Sequence, residues 1–462
     1  MKAGIHQLIN RHSLSHQPRK PMNTSMRRMR LTILLGLLLS TGLAVAGPDI
    51  QHWTTLNGVR VYFVPAAQLP MLDIRIQFDA GSARDNGKAG LASLTNHLFS
   101  FGADGLSADQ IANRLEGVGA NASSGADRDT GWLSLRSLSD PALMKPSLQV
   151  LEKMLARPDF NEADFKREQQ RVLVALKQSE QSPASQASKA FYRAVYGAHP
   201  YASPVSGTIE SVKALTTKDL KTFYQRYYVA KNAVIAMVGD IDRKHAERIA
   251  ERLSARLEQG QAAAALLPVK DLTAASTEHI EFPSSQTHIR IGQPGMYRGD
   301  PDYFALYVAN HVLGGSGLVS LLAEEVREKR GLAYSVYSYF VPLRRKGPFI
   351  VGMQTRNDQV TESMKVLRDT LNKYIKDGIS AEQLSTAKKS ITGGFPLRID
   401  SNSKIVGYLA MIGYYKLPLD YLDRFNERIN GLSLHQVRDA FRRRLQPGSM
   451  VTVTVGQRQV EK

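Results

Sequence analysis

The chain has no cysteine, which excludes disulfides, thiolate metal sites, thiol catalysis and a lipid anchor on an N-terminal cysteine. Long apolar runs are also missing. The run from Leu31 to Leu39 is well short of the ~20 residues that a membrane-spanning helix needs, and no later stretch approaches that length. Acidic residues are absent from the first 46 positions, which instead carry Lys2, Arg11, Arg19, Lys20, Arg27, Arg28 and Arg30. The formal charge of +18 is therefore partly a local feature, and about +11 remains on the rest of the chain. That remainder is scattered, with only short clusters such as Arg442 to Arg444, and reads as a solvated basic surface rather than a nucleic-acid face. What is present is an ordinary globular composition, 43% hydrophobic and 22% charged over 462 residues, which excludes disorder over most of the chain.

Residues 1–46 read as an upstream extension followed by an export signal. Arg27, Arg28 and Arg30 precede the apolar run, and Ala44-Val45-Ala46 fits a small-x-small cleavage site. A soluble periplasmic protein starting at Gly47 is the expectation.

The mature chain opens on a hairpin turning at Asn57-Gly58, with Val59 to Val64 strand-like and Leu72, Ile74, Ile76 and Phe78 alternating with polar residues. Leu91, Leu94, Leu98 and Phe101 then fall on one helical stripe, and Asp164 to Gln178 reads as a longer helix. An internal repeat follows. Leu215-Thr216, Leu220, Tyr224, the strand Val234 to Val238 and Gly239 recur 217 residues later as Leu432-Ser433, Val437, Phe441, the strand Val451 to Val455 and Gly456. These spacings predict an α+β chain of two homologous units, each an antiparallel-rich sheet packed with helices: residues 47–260 and 276–462, separated by an Ala-rich linker at 261–275. A helix from Asp302 to Leu313 is expected in the second unit.

Two windows carry chemistry. The first is Gly90-Leu91-Ala92-Ser93-Leu94-Thr95-Asn96-His97. It resembles the inverted-zincin segment of the pitrilysin/insulinase-type metallopeptidases, which include the mitochondrial processing peptidases. In H-x-x-E-H, two histidines one helical turn apart bind zinc and the glutamate activates water. Here Ser93 stands at the first histidine, Asn96 at the glutamate, and His97 alone matches. The resemblance also implies a ligand seven residues after an earlier glutamate of a later helix; Glu168 matches the earlier one and Ala175 stands at the ligand. Methyl groups cannot bind zinc, so this chain is expected to hold no metal. Asn310-His311 sits at the corresponding place in the second unit, which marks His97 as an ordinary helix residue, and Glu168 reads as a structural carboxylate.

The second window runs through Gly314-Gly315-Ser316-Gly317 and on to Arg327 and Tyr334, seven residues apart. It resembles the second-domain signature of the same family, which implies that the glycine-rich turn faces substrate and that an arginine and a tyrosine project into the zinc site of a facing first domain. A guanidinium and a phenol can donate hydrogen bonds to a carbonyl and to the oxyanion that develops on it. The turn lacks a following Gly-Lys-Ser/Thr and is no phosphate loop. Loss of the zinc residues beside an intact Arg/Tyr pair resembles the family's non-catalytic subunits. It implies a clam-like pairing with a homologous zinc-binding subunit, zinc in that partner, and a peptide or unfolded polypeptide substrate. The alternatives are a stand-alone, non-catalytic peptide-binding protein or homodimer, and a metalloenzyme with displaced ligands, for which no new cluster at ligand spacing is found.

Overall fold

The computed structural model describes residues 47–458; the expected export signal and the expected cleavage after Ala46 lie outside the described residues. Thirteen strands form the sheets: β1 (Gln51–Thr54), β2 (Arg60–Pro65), β3 (Met71–Phe78), β4 (Gly102–Ala103), β5 (Leu106–Ser107), β6 (Asn121–Ala126), β7 (Gly131–Leu138), β8 (Ala233–Gly239), β9 (Ser276–Glu281), β10 (Gln286–Pro294), β11 (Ser335–Phe340), β12 (Pro348–Arg356) and β13 (Val451–Gly456). The Asn57-Gly58 turn joins β1 to β2 with Thr54 opposite Arg60, and Gly58 takes a φ of +87° that a side chain would resist.

The repeat is visible as shared topology. The first sheet runs β1-β2-β8-β3-β7-β6 and the second runs β11-β12-β10-β13-β9. Without the extra edge strand β1, the two orders are the same read in opposite directions. In each, the last strand pairs parallel with the first and antiparallel with the second. Register holds in the helix before the last strand as well, Thr217–Tyr227 in one half and Leu434–Arg444 in the other, each begun by a capping box, at Thr216 with Asp219 and at Ser433 with Gln436.

Each half covers one face of its sheet with its own helices and borrows a helix for the other. In the first sheet, Val61, Phe63, Ile74, Ile76, Ile235 and Met237 point into the first half's core, whereas Tyr62, Val64, Val234, Ala236 and Val238 belong to a core built by the second half. The borrowed helix is Asn402–Tyr415, packed on β8, β3 and β2. Gly413 lets it approach, since a Cβ there would stand 2.5 Å from the Tyr62 ring, and Arg60 donates to the Gly413 carbonyl at 2.6 Å. Reciprocally, Pro183–Tyr196 of the first half lies on β10 and β13. It packs Phe191, only 1% exposed, with Val451, Val453 and Val455. Residues Pro48–Lys462 accordingly form one compact unit.

The exchange also buries polar residues of β3: Asp73 and Gln77, which alternate with its apolar side chains, are both buried. The helix Asn402–Tyr415 packs on this strand, and Arg136 clamps Asp73 through two hydrogen bonds of 2.9 and 3.1 Å. Residues 261–275 contain no helix or strand, as expected of a linker, but they do not hang free: the carbonyls of Ala264 and Leu266 accept from Arg84 and Arg345 at 2.7 Å. No described helix is long and apolar enough to cross a membrane.

Candidate functional site

The first window forms the helix Leu91–His97, which tightens into a 3-10 turn at Leu98–Ser100. The helix starts at Gly90, whose φ of +92° favours glycine, and its first N–H groups are taken by Asp85, which accepts from Gly90 at 2.9 Å and from Ala92 at 2.8 Å. Burial pushes the Asp85 carboxyl up to about 7, against the opposing pull of these backbone donors. Unfolded, the group titrates near 3.8, so the folded state holds a proton that the unfolded state releases between the two values. Stability should therefore fall as pH rises from about 4 to about 7, by on the order of 4 kcal/mol at 1.36 kcal/mol per unit. Urea midpoints across this range should flatten in Asp85→Asn; an unchanged slope would rule Asp85 out as the source.

Ser93 is half-buried and Asn96 fully buried on this helix. The Asn96 amide donates to the Ala92 carbonyl at 2.9 Å, and its backbone carbonyl accepts from Ser124 of β6 at 2.7 Å. The second half does the same work with Asn310, which donates to the Ser338 carbonyl of β11 at 3.0 Å and accepts from the Ser338 hydroxyl at 2.8 Å. In both halves the helix is tied to an edge strand at this position, through the backbone carbonyl of Asn96 in the first and the side chain of Asn310 in the second, while the Asn96 side chain bonds within its own helix at the place where a water-activating glutamate would stand.

His97 and Glu168 do meet. The imidazole Nε2 lies 2.9 Å from a carboxylate that is 1% exposed, and Arg167 and Arg171 each approach the other oxygen at 3.1 Å. Burial opposes ionisation of Glu168, but the His97 and Arg167 hydrogen bonds and the Arg171 charge prevail and hold it below the usual carboxylate range. Ala175, on the same helix Glu162–Glu180, is exposed. Zinc does not fit this constellation: one histidine nitrogen is occupied by a carboxylate already saturated with arginines, and the remaining positions are a hydroxyl, an inward amide and a methyl. Among the described residues no three histidine, aspartate or glutamate side chains are grouped to hold a metal. His199 is likewise structural, accepting from the Tyr201 N–H at 3.2 Å and bonding the Leu267 carbonyl at 3.1 Å.

The second window is framed by two π-helical turns, His311–Gly315 and Ala323–Glu328. Such bulges re-aim side chains and are frequent at functional sites. The helix expected from Asp302 to Leu313 is regular only over Tyr303–Asn310 for this reason. Between the two turns, Gly317 takes a φ of +65° and the loop lifts Leu318 and Val319 into solvent, 63% and 86% exposed. After the second turn the chain reverses at Gly331, buries Leu332 and Ala333, and releases Tyr334 at the start of β11. Arg327 and Tyr334 are thereby brought together: the guanidinium carbon lies 5.0 Å from the ring centroid, and Tyr334 is 78% exposed. Neighbouring cations are turned inward on their own segment, Lys329 to Glu324 and Glu325 and Arg330 to Glu325. Among the described residues, Arg327 has only Glu328 as an ion-pair partner, at 3.3 Å.

Sequence reasoning did not single out Arg298 and Arg398, which flank a cavity beside this window. The spacing of Tyr303, Tyr307 and His311 at intervals of four was the available signal.

A duplicated α+β unit with the helix Leu91–His97 in one half and an exposed Arg/Tyr pair in the other defines a metallopeptidase-like chain. The chain belongs to peptidase family M16: residues 65–209 match the insulinase (peptidase family M16) model, and residues 214–391 match the model described as peptidase M16 inactive domain. It is similar to the crystal structure of a peptidase M16 inactive domain from Pseudomonas fluorescens, with a TM-score of 0.87 and 38% identity, covering 90% of this chain and 99% of that one. It is 26% identical to the uncharacterized zinc protease YmxG of Bacillus subtilis, over 83% of this chain and 95% of that protein. The non-peptidase homolog YmxG of Helicobacter pylori is also 26% identical, over 90% and 95%.

Proposed function

We propose that this chain is the non-catalytic member of an exported two-chain zinc peptidase. It pairs clam-like with a homologous H-x-x-E-H subunit and supplies Arg327 and Tyr334 to that partner's catalytic centre for hydrolysis of peptides or unfolded polypeptides. The single observation that carries the reading is the contrast between its two sites. Asn96 is buried, His97 and Glu168 are paired with each other, Ser93 offers only a hydroxyl and Ala175 a methyl, whereas Arg327 and Tyr334 stand together at the surface with hydrogen-bonding capacity to spare. Gly314, Gly315, Ser316 and Gly317 form the substrate-facing turn beside them, and the periplasm is the proposed compartment from the Arg-rich, cleavable N-terminal signal.

The test is co-expression with the H-x-x-E-H homologue of the same organism, followed by gel filtration and metal analysis. A one-to-one complex carrying one zinc, and an isolated chain carrying none and cleaving no peptide, are the expected results. One zinc per isolated chain with chelator-sensitive peptidase activity would overturn the reading; a chain that binds peptides but never captures the homologue would favour a stand-alone binding protein or homodimer.

A further inference from the structure

The second half contains a cavity of about 570 Å³, within the range of roughly 300–1,000 Å³ typical of ligand sites. Because the helix Tyr303–Asn310 runs on into the π turn, Tyr303, Tyr307 and His311 share one wall. The Tyr303 and Tyr307 rings lie parallel, 6.1 Å apart and inclined by 1°. A guanidinium closes each end of this ladder: Arg298 is 5.9 Å from the Tyr303 ring and Arg398 is 5.7 Å from the Tyr307 ring. The opposite wall is β11, where Tyr337 and Tyr339 stack at 5.7 Å. The Gly314-Gly315 segment completes the lining, and a Cβ at either position would collide with Ser338 or Asn310.

Charge in this cavity is one-sided. Its lining includes two arginines and a histidine, and no aspartate or glutamate. Neither Arg298 nor Arg398 makes an ion pair among the described residues, and the buried Nε of Arg298 has no hydrogen-bond partner there. The contrast with Arg444 is direct: that side chain, close in sequence to Arg442 and Arg443, is neutralised by Asp300 at 2.6 Å and Asp302 at 3.0 Å. Two guanidiniums without a carboxylate partner among the described residues, Arg398 beside the Tyr307 and Tyr408 hydroxyls, leave charge-assisted donors and π faces for an occupant. Gly317 of the glycine-rich turn lines the mouth, next to the exposed Leu318 and Val319.

We propose that this cavity binds a carboxylate-bearing peptide segment, with Arg298 and Arg398 as the anion clamps and the Tyr303/Tyr307 and Tyr337/Tyr339 ladders holding an adjacent aromatic or apolar side chain. Neither Arg327 nor Tyr334 lines this cavity, although it shares Gly314, Gly315 and Gly317 with the turn proposed above to face substrate, and the inference does not rest on pairing with a zinc-binding partner, because it concerns binding to the chain alone.

Fluorescence anisotropy on the isolated mature chain at 0.15 M salt tests it, with a fluorescein-labelled peptide amide Gly-Phe-Asp-Phe-Asp-Gly, the same peptide with Asn for Asp, and the Asn peptide with a free C-terminal carboxylate. The acidic peptide should bind at least about 10-fold more tightly than its Asn counterpart, as expected for charge-assisted bonds. The combined Arg298→Gln and Arg398→Gln chain should bring it down to the Asn level. Arg398→Gln alone, at an exposed position, should weaken it at least about 3-fold, with the circular dichroism spectrum of the chain unchanged. Tight binding of the third peptide as well would assign the site to chain termini, and its failure to bind would assign it to acidic side chains; both support the proposal. Lys221→Gln, an exposed cation of the first half, should change nothing. Equal affinity for the acidic and Asn peptides, or acidic-peptide binding indifferent to both Arg398→Gln and the double substitution, overturns it.

Discussion

Tyr334→Phe is expected to lower kcat of the reconstituted two-chain peptidase by roughly 10-fold to 1000-fold while leaving complex formation intact, the range for losing one donor to a developing oxyanion. The substitution is clean because the ring is exposed and its hydroxyl supports nothing in the fold. Arg327→Ala should depress kcat and raise KM together, since a guanidinium with five donors contributes both charge and orientation. Arg330→Ala is the matched control: its side chain is held by Glu325 through bonds of 2.7 and 2.8 Å and is not free to reach a partner. Steady-state kinetics of the three complexes decide the matter. If Tyr334→Phe and Arg327→Ala both match the parent, the composite-site reading fails and peptide binding without cleavage becomes the better account.

The second large effect is on stability. Asp129, 1% exposed, is the acceptor hub between the halves: its carboxylate takes the Tyr201 hydroxyl at 2.6 Å, the Arg344 N–H at 2.7 Å and the Tyr415 hydroxyl at 2.8 Å. Its backbone carbonyl takes the Tyr414 hydroxyl at 2.9 Å. Burial pushes its carboxyl up, against the Tyr201, Arg344 and Tyr415 bonds that favour the charged form. Asp129→Ala strands three buried donors at about 1–3 kcal/mol each, so a loss of roughly 3–9 kcal/mol is expected in urea unfolding, and both halves should melt together. Asp129→Asn, which keeps one acceptor oxygen, should lose less. A midpoint for Asp129→Ala indistinguishable from the parent would show that the hub is dispensable.

Local signals were legible in the sequence where they depend on neighbours along the chain. Asn57-Gly58 announces its hairpin because the turn needs a positive φ, and the 217-residue register survives because each half caps the same helix before the same strand. That Ser93, Asn96 and Ala175 carry no imidazole or carboxylate is likewise plain from residue type alone. What was not legible depends on residues brought together from far apart. The burial of Asp73 requires Arg136 and the helix Asn402–Tyr415; the tie of the helix Leu91–His97 to its edge strand required Ser124. The π turn at His311–Gly315 is written in no periodicity, yet it carries His311 onto the Tyr303/Tyr307 wall. Arg298 and Arg398 are a hundred residues apart in the chain, and only the fold shows that both face one cavity without a carboxylate.

The exchanged helices also bear on how the chain can be made. A first half released by itself would show water the Tyr62, Val64 and Val234 face of its sheet and would carry Pro183–Tyr196 with no bed to lie in. Neither half can therefore reach its native core before Tyr415 has been synthesised. The molecule is in effect a swapped dimer sealed into one polypeptide, with each half acting as the other's folding template. An ancestral single-length unit of this kind would have had to assemble as pairs to bury the same surfaces. The unfinished chain stays unlocked until late in synthesis, because among the described residues only two α-helices, Phe425–Asn430 and Leu434–Arg444, follow the piece that closes the first sheet.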